Sequence, residues 1–275
     1  MLILSRLWER HAGRRLDGVL QVGDFGAFPD LHRLDDATAR FARHDSDELG
    51  FSEYLAGCAE GAALLAGCPW SVTWCRGNHE DFDYLAGFRA PAAVDPWGKL
   101  IFVPDGQVEE VAGVRVGALG GMAPRGEERG RGKKARKASR RATARDDPRC
   151  FSDRDVSTAF PTGGVDVLLT HAGPKSWESP WGSQRLAELA ERVRPRVHLF
   201  GHHHVTFGPV YGPGDATLIA LDHLEFRRGQ LRPGCWGVLE LPDPGSDDEV
   251  GFTWGDELPF NRDLTREGYR HLLQE

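Results

Sequence analysis

"RVHLFGHHHVTFGP", residues 196–209, joins a short apolar run, Val197 to Phe200, to Gly201 and three consecutive histidines. A buried strand that stops at a glycine and delivers imidazoles reads as the wall of a site, because loops at strand ends carry function on a rigid scaffold. The rest of the chain repeats the arrangement. "GVLQV" (18–22) runs into Asp24, "WSVTWC" (70–75) into Asn78 and His79, and "VDVLLT" (165–170) into His171. In sheets of this kind the ligand lies outside the carboxyl ends of the strands. Asp, Asn and several His are together a donor set for a divalent transition metal.

Between these strands lie helical patterns. Leu4, Leu7, Trp8 and His11 share a face, with Gly13 as a stop. "FSEYLAGCAEGAALLAG" (51–67) and "GSQRLAELAERV" (182–193) read as helices, and Ser152 with Asp155 can cap a third. "KLIFVP" (99–104), "VRVGALGG" (114–121), "ATLIAL" (216–221) and "CWGVLEL" (235–241) read as further strands, and "LTREGYRHLLQ" (264–274) as a closing helix. Alternating strands and helices predict a layered α/β domain, taken as one unit over 1–275.

Composition bounds the remaining choices. The apolar fraction of 40% and charged fraction of 27% are ordinary for a globular protein. No run approaches the roughly 18–20 apolar residues of a membrane span. "MLILSRLWERH" has too short an apolar start for a signal peptide, so the expectation is a cytoplasmic protein with no membrane partner. Five cysteines (Cys58, Cys68, Cys75, Cys150 and Cys235) without a CxxC pair argue against a disulfide framework or a zinc ribbon.

Residues 125–145, "RGEERGRGKKARKASRRATAR", hold ten Lys or Arg against two Glu in a chain of net charge −7. Almost devoid of apolar residues, this stretch reads as a mobile basic insertion at about 125–150. Two readings stay open: a solvated loop, or a phosphate-contacting element using Arg131, Lys133, Lys134, Arg136 and Lys137 on a nucleic acid or nucleotide. No aromatic residue interrupts it, so base stacking has no support there.

The four motifs, "GDFG" (23–26), "GNHE" (77–80), "LLTHAGP" (168–174) and "GHHH" (201–204), resemble in kind and order those of the calcineurin-like metallophosphoesterases. In spelling they are most similar to the RNA lariat debranching enzyme-like members. The resemblance implies a four-layer α/β/β/α sandwich and one or two divalent metals per chain, Mn²⁺, Fe²⁺ or Zn²⁺. It implies that Asp24 bridges the metals, that Asn78, His171 and His202 complete one shell, and that His204 serves the other. A metal-bound hydroxide would attack phosphorus, with His79 assisting the leaving group, and the substrates would be phosphodiesters. Should residues 202–204 stay extended, His202 and His204 project to one side and His203 to the other. His198, His223, His11 and His271 are expected to be structural.

One family motif, Asp-x-His before the first helix, has no counterpart ahead of "GDFG", where the chain opens inside a helix without a preceding strand. A start placed too late, a single-metal enzyme and a degenerate phosphoesterase that binds nucleic acid without cleaving are the three explanations. With only Asp24 and His204 left for the first metal, the expectation is impaired activity in this chain.

Overall fold

The computed structural model describes residues 1–43, 49–124, 147–176, 182–243, 248–269 and 271–272. Its strands are β1 (Val19–Gln21), β2 (Val72–Trp74), β3 (Ala92–Ala93), β4 (Leu100–Phe102), β5 (Val108–Val111), β6 (Val114–Leu119), β7 (Val167–Thr170), β8 (Val197–Phe200), β9 (Phe207–Tyr211), β10 (Thr217–Ala220), β11 (Phe226–Arg227), β12 (Gln230–Leu231), β13 (Gly237–Glu240) and β14 (Gly251–Trp254). One sheet has the order β1-β2-β4-β3 and the other β5-β6-β7-β8-β10-β9, with β11-β12 and β13-β14 as separate hairpins. β1, β2 and β4 run parallel, as do β6, β7, β8 and β10.

Three apolar layers separate the elements, which gives the sandwich its order. Val22, Cys75 and Val103 from the first sheet meet Val116, Val167, Leu169, Val197, Leu199 and Ile219 from the second. The outer face of the first sheet, with Val72, Trp74, Leu100 and Phe102, packs on Phe51, Leu55 and Leu85 from its helices. On the far side, Leu119 and Leu168 lie against Phe151, Leu186, Leu189 and Val193. The architecture is therefore helices, sheet, sheet, helices, the α/β class expected. Strands buried on both faces read as continuous apolar runs, which is why "VLLT" and "VHLF" stood out; all four residues of each are buried.

Local chemistry sets the ends of the helices. Leu2–Ala12 stops at Gly13, left-handed at φ 66°, whose N–H reaches the Glu9 carbonyl. Ser152 and Asp155 form a reciprocal capping box at the start of Asp153–Thr158. Gln184–Val193 puts Leu186, Leu189 and Val193 on its buried face.

Two expectations need correction. The predicted helix over 51–67 is two helices, Gly50–Leu55 and Ala59–Ala66, because Gly57 turns left-handed at φ 85° and Cys58 recaps the chain through its Sγ. The predicted helix over 264–274 is absent among the described residues. Thr265 bridges to Gln230, its Oγ1 accepts the Gly268 N–H, and the chain continues in turns. Here tertiary pairing and an interior glycine outweigh helix propensity. No helix among the described residues is long and apolar enough to cross a membrane. The basic segment, with Arg131, Lys133, Lys134, Arg136 and Lys137, lies outside the described residues.

His198 on β8 is fully buried, consistent with a structural role. Thr170 Oγ1 donates to the Ala172 carbonyl at 2.7 Å, so it can only accept from His198 Nε2, 2.7 Å away. The ring is thus the neutral tautomer protonated at Nε2, and its Nδ1 finds no hydrogen-bond partner among the described residues. Burial pushes its pKa down to about 3. Between the ordinary histidine value and 3 the unfolded chain binds a proton that the folded chain refuses, so this group's contribution is complete above pH ~6.5 and is lost as pH falls. His198→Gln keeps a donor toward Thr170 and removes the titration. Urea unfolding at pH 7.5 and pH 5 should show the parent losing about 2 kcal/mol more than the variant. An equal loss in both proteins would contradict this account.

Candidate metal centre

The parallel strands bring four loops to one edge of the sandwich. Asp24 follows β1 in a left-handed conformation (φ 55°), and its Oδ1 accepts the backbone N–H groups of Asn78 at 2.7 Å and His79 at 2.9 Å. Gly77 makes this approach possible, since a Cβ there would lie 2.1 Å from both the N and Oδ1 of Asp24. At Gly23, with φ 93°, a Cβ would come within 2.5 Å of His171 Nδ1. Glycine spacing in "GDFG" and "GNHE" is thus a packing requirement of the site.

Glu80 ties the two motifs together from beneath. Its buried carboxylate accepts the N–H groups of Phe25 (2.9 Å), Ala27 (2.7 Å) and Gly77 (3.2 Å). Burial, with the Asp24 charge, pushes its pKa up to about 7 against the pull of those N–H groups. The fourth letter of "GNHE" therefore has a scaffolding job that the motif spelling alone did not reveal.

His171, 2% exposed, crosses from the second sheet to the first. Its Nδ1 donates to the Val22 carbonyl at 2.8 Å, which leaves Nε2 as the lone-pair nitrogen of the neutral ring. That Nε2 faces Asn78 Oδ1 at 2.9 Å and Asp24 Oδ2 at 3.3 Å. A proton on Nε2, donated to either oxygen, or a cation bound by all three atoms would satisfy this convergence. Burial pushes the His171 pKa down, but the charge and hydrogen bond of Asp24 outweigh it and the net shift is upward. Burial likewise pushes Asp24 up, and His171, His79 and the Asn78 N–H overcome it, holding the carboxyl well below its usual range.

The His202 ring lies 4.9 Å from that of His171, centroid to centroid. Two imidazoles bound to one cation at ~2.1 Å, with ligand angles of 90–109°, have centroids about 4.5–5.3 Å apart. Burial first, then the neighbouring His171 and His203, depress the His202 pKa to about 3, which keeps it in the ligating neutral form. Residues 202–204 do not stay extended. His202 and His204 are left-handed, at φ 63° and 51°, and the His203 N–H turns back to the Gly201 carbonyl at 2.7 Å. Strand alternation therefore does not sort these three rings. His203 Nε2 accepts the Gly173 N–H at 3.2 Å, pinning the loop after β7 to the loop after β8. His204 turns toward His223, ring to ring at 5.3 Å.

Among the described residues, eight non-glycine positions have positive φ, and Asp24, His202 and His204 are three of them. Such strain persists where surrounding structure over-determines it and gathers at functional sites. Among the described residues no three His, Cys, Asp or Glu side chains stand close enough, in this conformation, to enclose an ion. The donor chemistry nonetheless fits a divalent cation beside Asp24, Asn78 and His171, because Asp24 Oδ2, Asn78 Oδ1 and, in the neutral ring, His171 Nε2 each offer a lone pair at one point.

His79, half exposed, stands next to this centre through its N–H bond to Asp24, and its Nδ1 lies 3.0 Å from Asp35 Oδ2. Asp35 was not foreseen. Its Oδ1 caps the helix Asp36–Phe41 through Ala37 and Thr38 N–H while Oδ2 faces the histidine. The signal in sequence was only the capping pattern "DDAT", which carries no hint of a partner 44 residues away.

The model of the calcineurin-like phosphoesterase family matches residues 3–206, a span that holds all four motifs. No curated protein matches the chain. Among solved structures it is similar to the sulfate thiohydrolase SoxB of Thermus thermophilus in complex with glycerol, with 15% identity and a TM-score of 0.46 over 99% of this chain and 45% of that one. The chain thus spans less than half the length of that protein. With the family model matched across most of its length, the chain belongs to the calcineurin-like phosphoesterase family.

Proposed function

We propose that this chain hydrolyses phosphodiesters in a reaction that depends on a divalent transition metal, Mn²⁺, Fe²⁺ or Zn²⁺. The observation that carries the reading is the convergence of His171 Nε2, Asp24 Oδ2 and Asn78 Oδ1 directly beside the His79–Asp35 pair. Asp24, Asn78, His171 and His202 would hold a cation, which would offset charge on the phosphoryl oxygens and lower the pKa of the attacking water. The chain's own residues do the rest. Asp24 fixes the backbone of Asn78 and His79 relative to the centre. Asp35 faces Nδ1 of His79, and the form of the ring that can give a proton to the leaving oxygen from Nε2 is the imidazolium, which carries a proton on each nitrogen.

Charge favours a diester over a monoester. Among the described residues, Arg76, Arg149 and Arg232 are already paired with Asp105, Asp147, and Asp222 with Glu225, respectively. A monoester dianion would need a further free cation, whereas a diester carries a single negative charge. With Mn²⁺, bis(p-nitrophenyl) phosphate should turn over at least about 10-fold faster than p-nitrophenyl phosphate, and EDTA should remove the activity until Mn²⁺ is restored. Equal or reversed preference would overturn the diester reading. EDTA-insensitive turnover would overturn the metal dependence.

A further inference from the structure

The row of loops that carries Asp24, His171 and His202 continues one strand further, to the loop after β10. We infer that His223 and Leu224 on that loop, with Val205 beside them, form a platform for a nucleobase, so that the arm remaining on phosphorus is a nucleoside. The inference deepens the diester reading and rests on it for the place of the phosphate.

Topology sets the platform beside the centre. β10 lies parallel to β8 and next to it, in register from Thr217↔Val197 to Ala220↔Phe200, so its carboxyl end opens on the same edge as "GHHH". The loop after β1 lies over β7 and β8, where Gly23 abuts His171 and Gly201 abuts Val22. The β2 loop, with Asn78 and His79, meets His171 after β7, whereas β10 lies beyond β8. His79 and His223 therefore stand toward opposite ends of the row, one for the leaving group and one for the arm that stays. Two strand spacings, about 10 Å, separate the β10 loop from the end of β7. A nucleoside spans that interval from its phosphate to its base.

What the two loops present there is aromatic and apolar. His204, Val205, His223 and Leu224 are all exposed, the two aliphatic side chains at 39% and 40%. Scattered exposed aliphatics are ordinary, but here each follows an exposed imidazole in the chain, and the two rings meet edge to face at 5.3 Å and 79°. Such a pair leaves at least one face of each ring uncovered, and histidine is among the side chains on which splayed bases stack. The surface is also held in place. Arg232 bonds Asp222 Oδ2 through Nε and Glu225 Oε1 through Nη1, each at 2.8 Å, and so brackets His223 and Leu224. Asp222 Oδ1 accepts the His223 N–H at 2.7 Å, and the Asp222 N–H donates to the Gly234 carbonyl at 2.9 Å. The Val205 side is fastened to the same turn, since a Cβ on Gly234 would lie 1.9 Å from Thr206 Oγ1. A loop already ordered loses little freedom when it binds. Charge selects the occupant: one guanidinium is shared by two carboxylates, so a second phosphate would meet surplus negative charge, and an uncharged heterocycle would not.

The test compares two singly charged diesters with one leaving group, thymidine 5′-(p-nitrophenyl phosphate) and methyl p-nitrophenyl phosphate, on the full chain with Mn²⁺. The parent's kcat/KM is expected to favour the nucleoside diester at least about 5-fold, with the difference in KM. His223→Ala and Leu224→Asp, verified as folded by circular dichroism, are expected to bring that ratio toward one. His223→Phe, which can stack but cannot ligate a metal, is expected to restore it. A parent ratio near one, a ratio unmoved in His223→Ala, or His223→Phe behaving as His223→Ala would each overturn the inference. So would an equal loss on both diesters in His223→Ala, which would place the ring in the chemistry instead. Calorimetric titration with thymidylyl-3′,5′-thymidine separates the platform from the hydrolytic reading. A parent that cleaves neither diester, yet binds this dinucleotide and loses it in His223→Ala, overturns hydrolysis and upholds the platform. A folded parent that neither cleaves nor binds overturns both.

Discussion

Asp24→Asn is expected to weaken Mn²⁺ binding at least about 100-fold and to reduce diester turnover by a similar or larger factor, with little change in Tm. Losing a residue that merely supports a ligand costs about 10–100-fold, and this substitution removes the charge of the ligand itself. The variant separates charge from shape. Asn retains an oxygen that can accept the N–H groups of Asn78 and His79, so the junction of the two loops survives. In place of Oδ2 it brings an amide N–H toward His171 Nε2, where the parent has an acceptor at 3.3 Å. That N–H can donate to the neutral ring and so replaces the parent's contact without a cation, which keeps the Tm of the metal-free protein close to the parent's. Isothermal titration with Mn²⁺ and a thermal melt in EDTA check both halves. Parent-like affinity in Asp24→Asn would remove Asp24 from the metal shell.

His79→Ala should leave metal uptake unchanged and lower kcat by about 10²–10⁴-fold, the usual contribution of a positioned proton donor. The loss should grow with the basicity of the leaving group: smaller for a nitrophenoxide, larger for an alkoxide such as a nucleoside hydroxyl, because only the latter needs a full proton. Asp35→Asn is the control for positioning. Asn is as good a helix cap as Asp, so the helix Asp36–Phe41 stays capped while the charge beside His79 is lost. A fall on the order of 10-fold, without a change in leaving-group dependence, fits a residue acting through the histidine. If His79→Ala loses metal as well as turnover, the ring is a ligand and the division of roles is wrong. If it changes neither, the binding-only alternative gains the ground.

The two substitutions also bear on why the motifs are legible at all. Gly23, Gly77 and Glu80 are dictated by how closely the loops that carry Asp24, Asn78 and His171 approach one another. A motif of this kind records packing around a site as much as chemistry in it.

What the chain determines by itself is local. Apolar runs of four to six residues that end in Gly, Asp, Asn or His are visible residue by residue, so the strands, their carboxyl-end loops and Asp24, Asn78, His79, His171 and His202 as candidates could be read directly. The capping box at Ser152 and the glycine stop at Gly13 belong to the same class, since each is settled within a few residues. Tertiary structure decided everything that depends on which distant groups meet. His171 finds Val22 across 149 residues, His79 finds Asp35, and His204 finds His223 rather than aligning with His202. The left-handed turns at His202 and His204 break the alternation that a strand would impose, and Thr265 leaves a helical pattern to pair with Gln230. Periodicity fixes the direction of a side chain only while the backbone keeps its period. In these loops the backbone is bent by hydrogen bonds to other strands, whose positions no local pattern encodes.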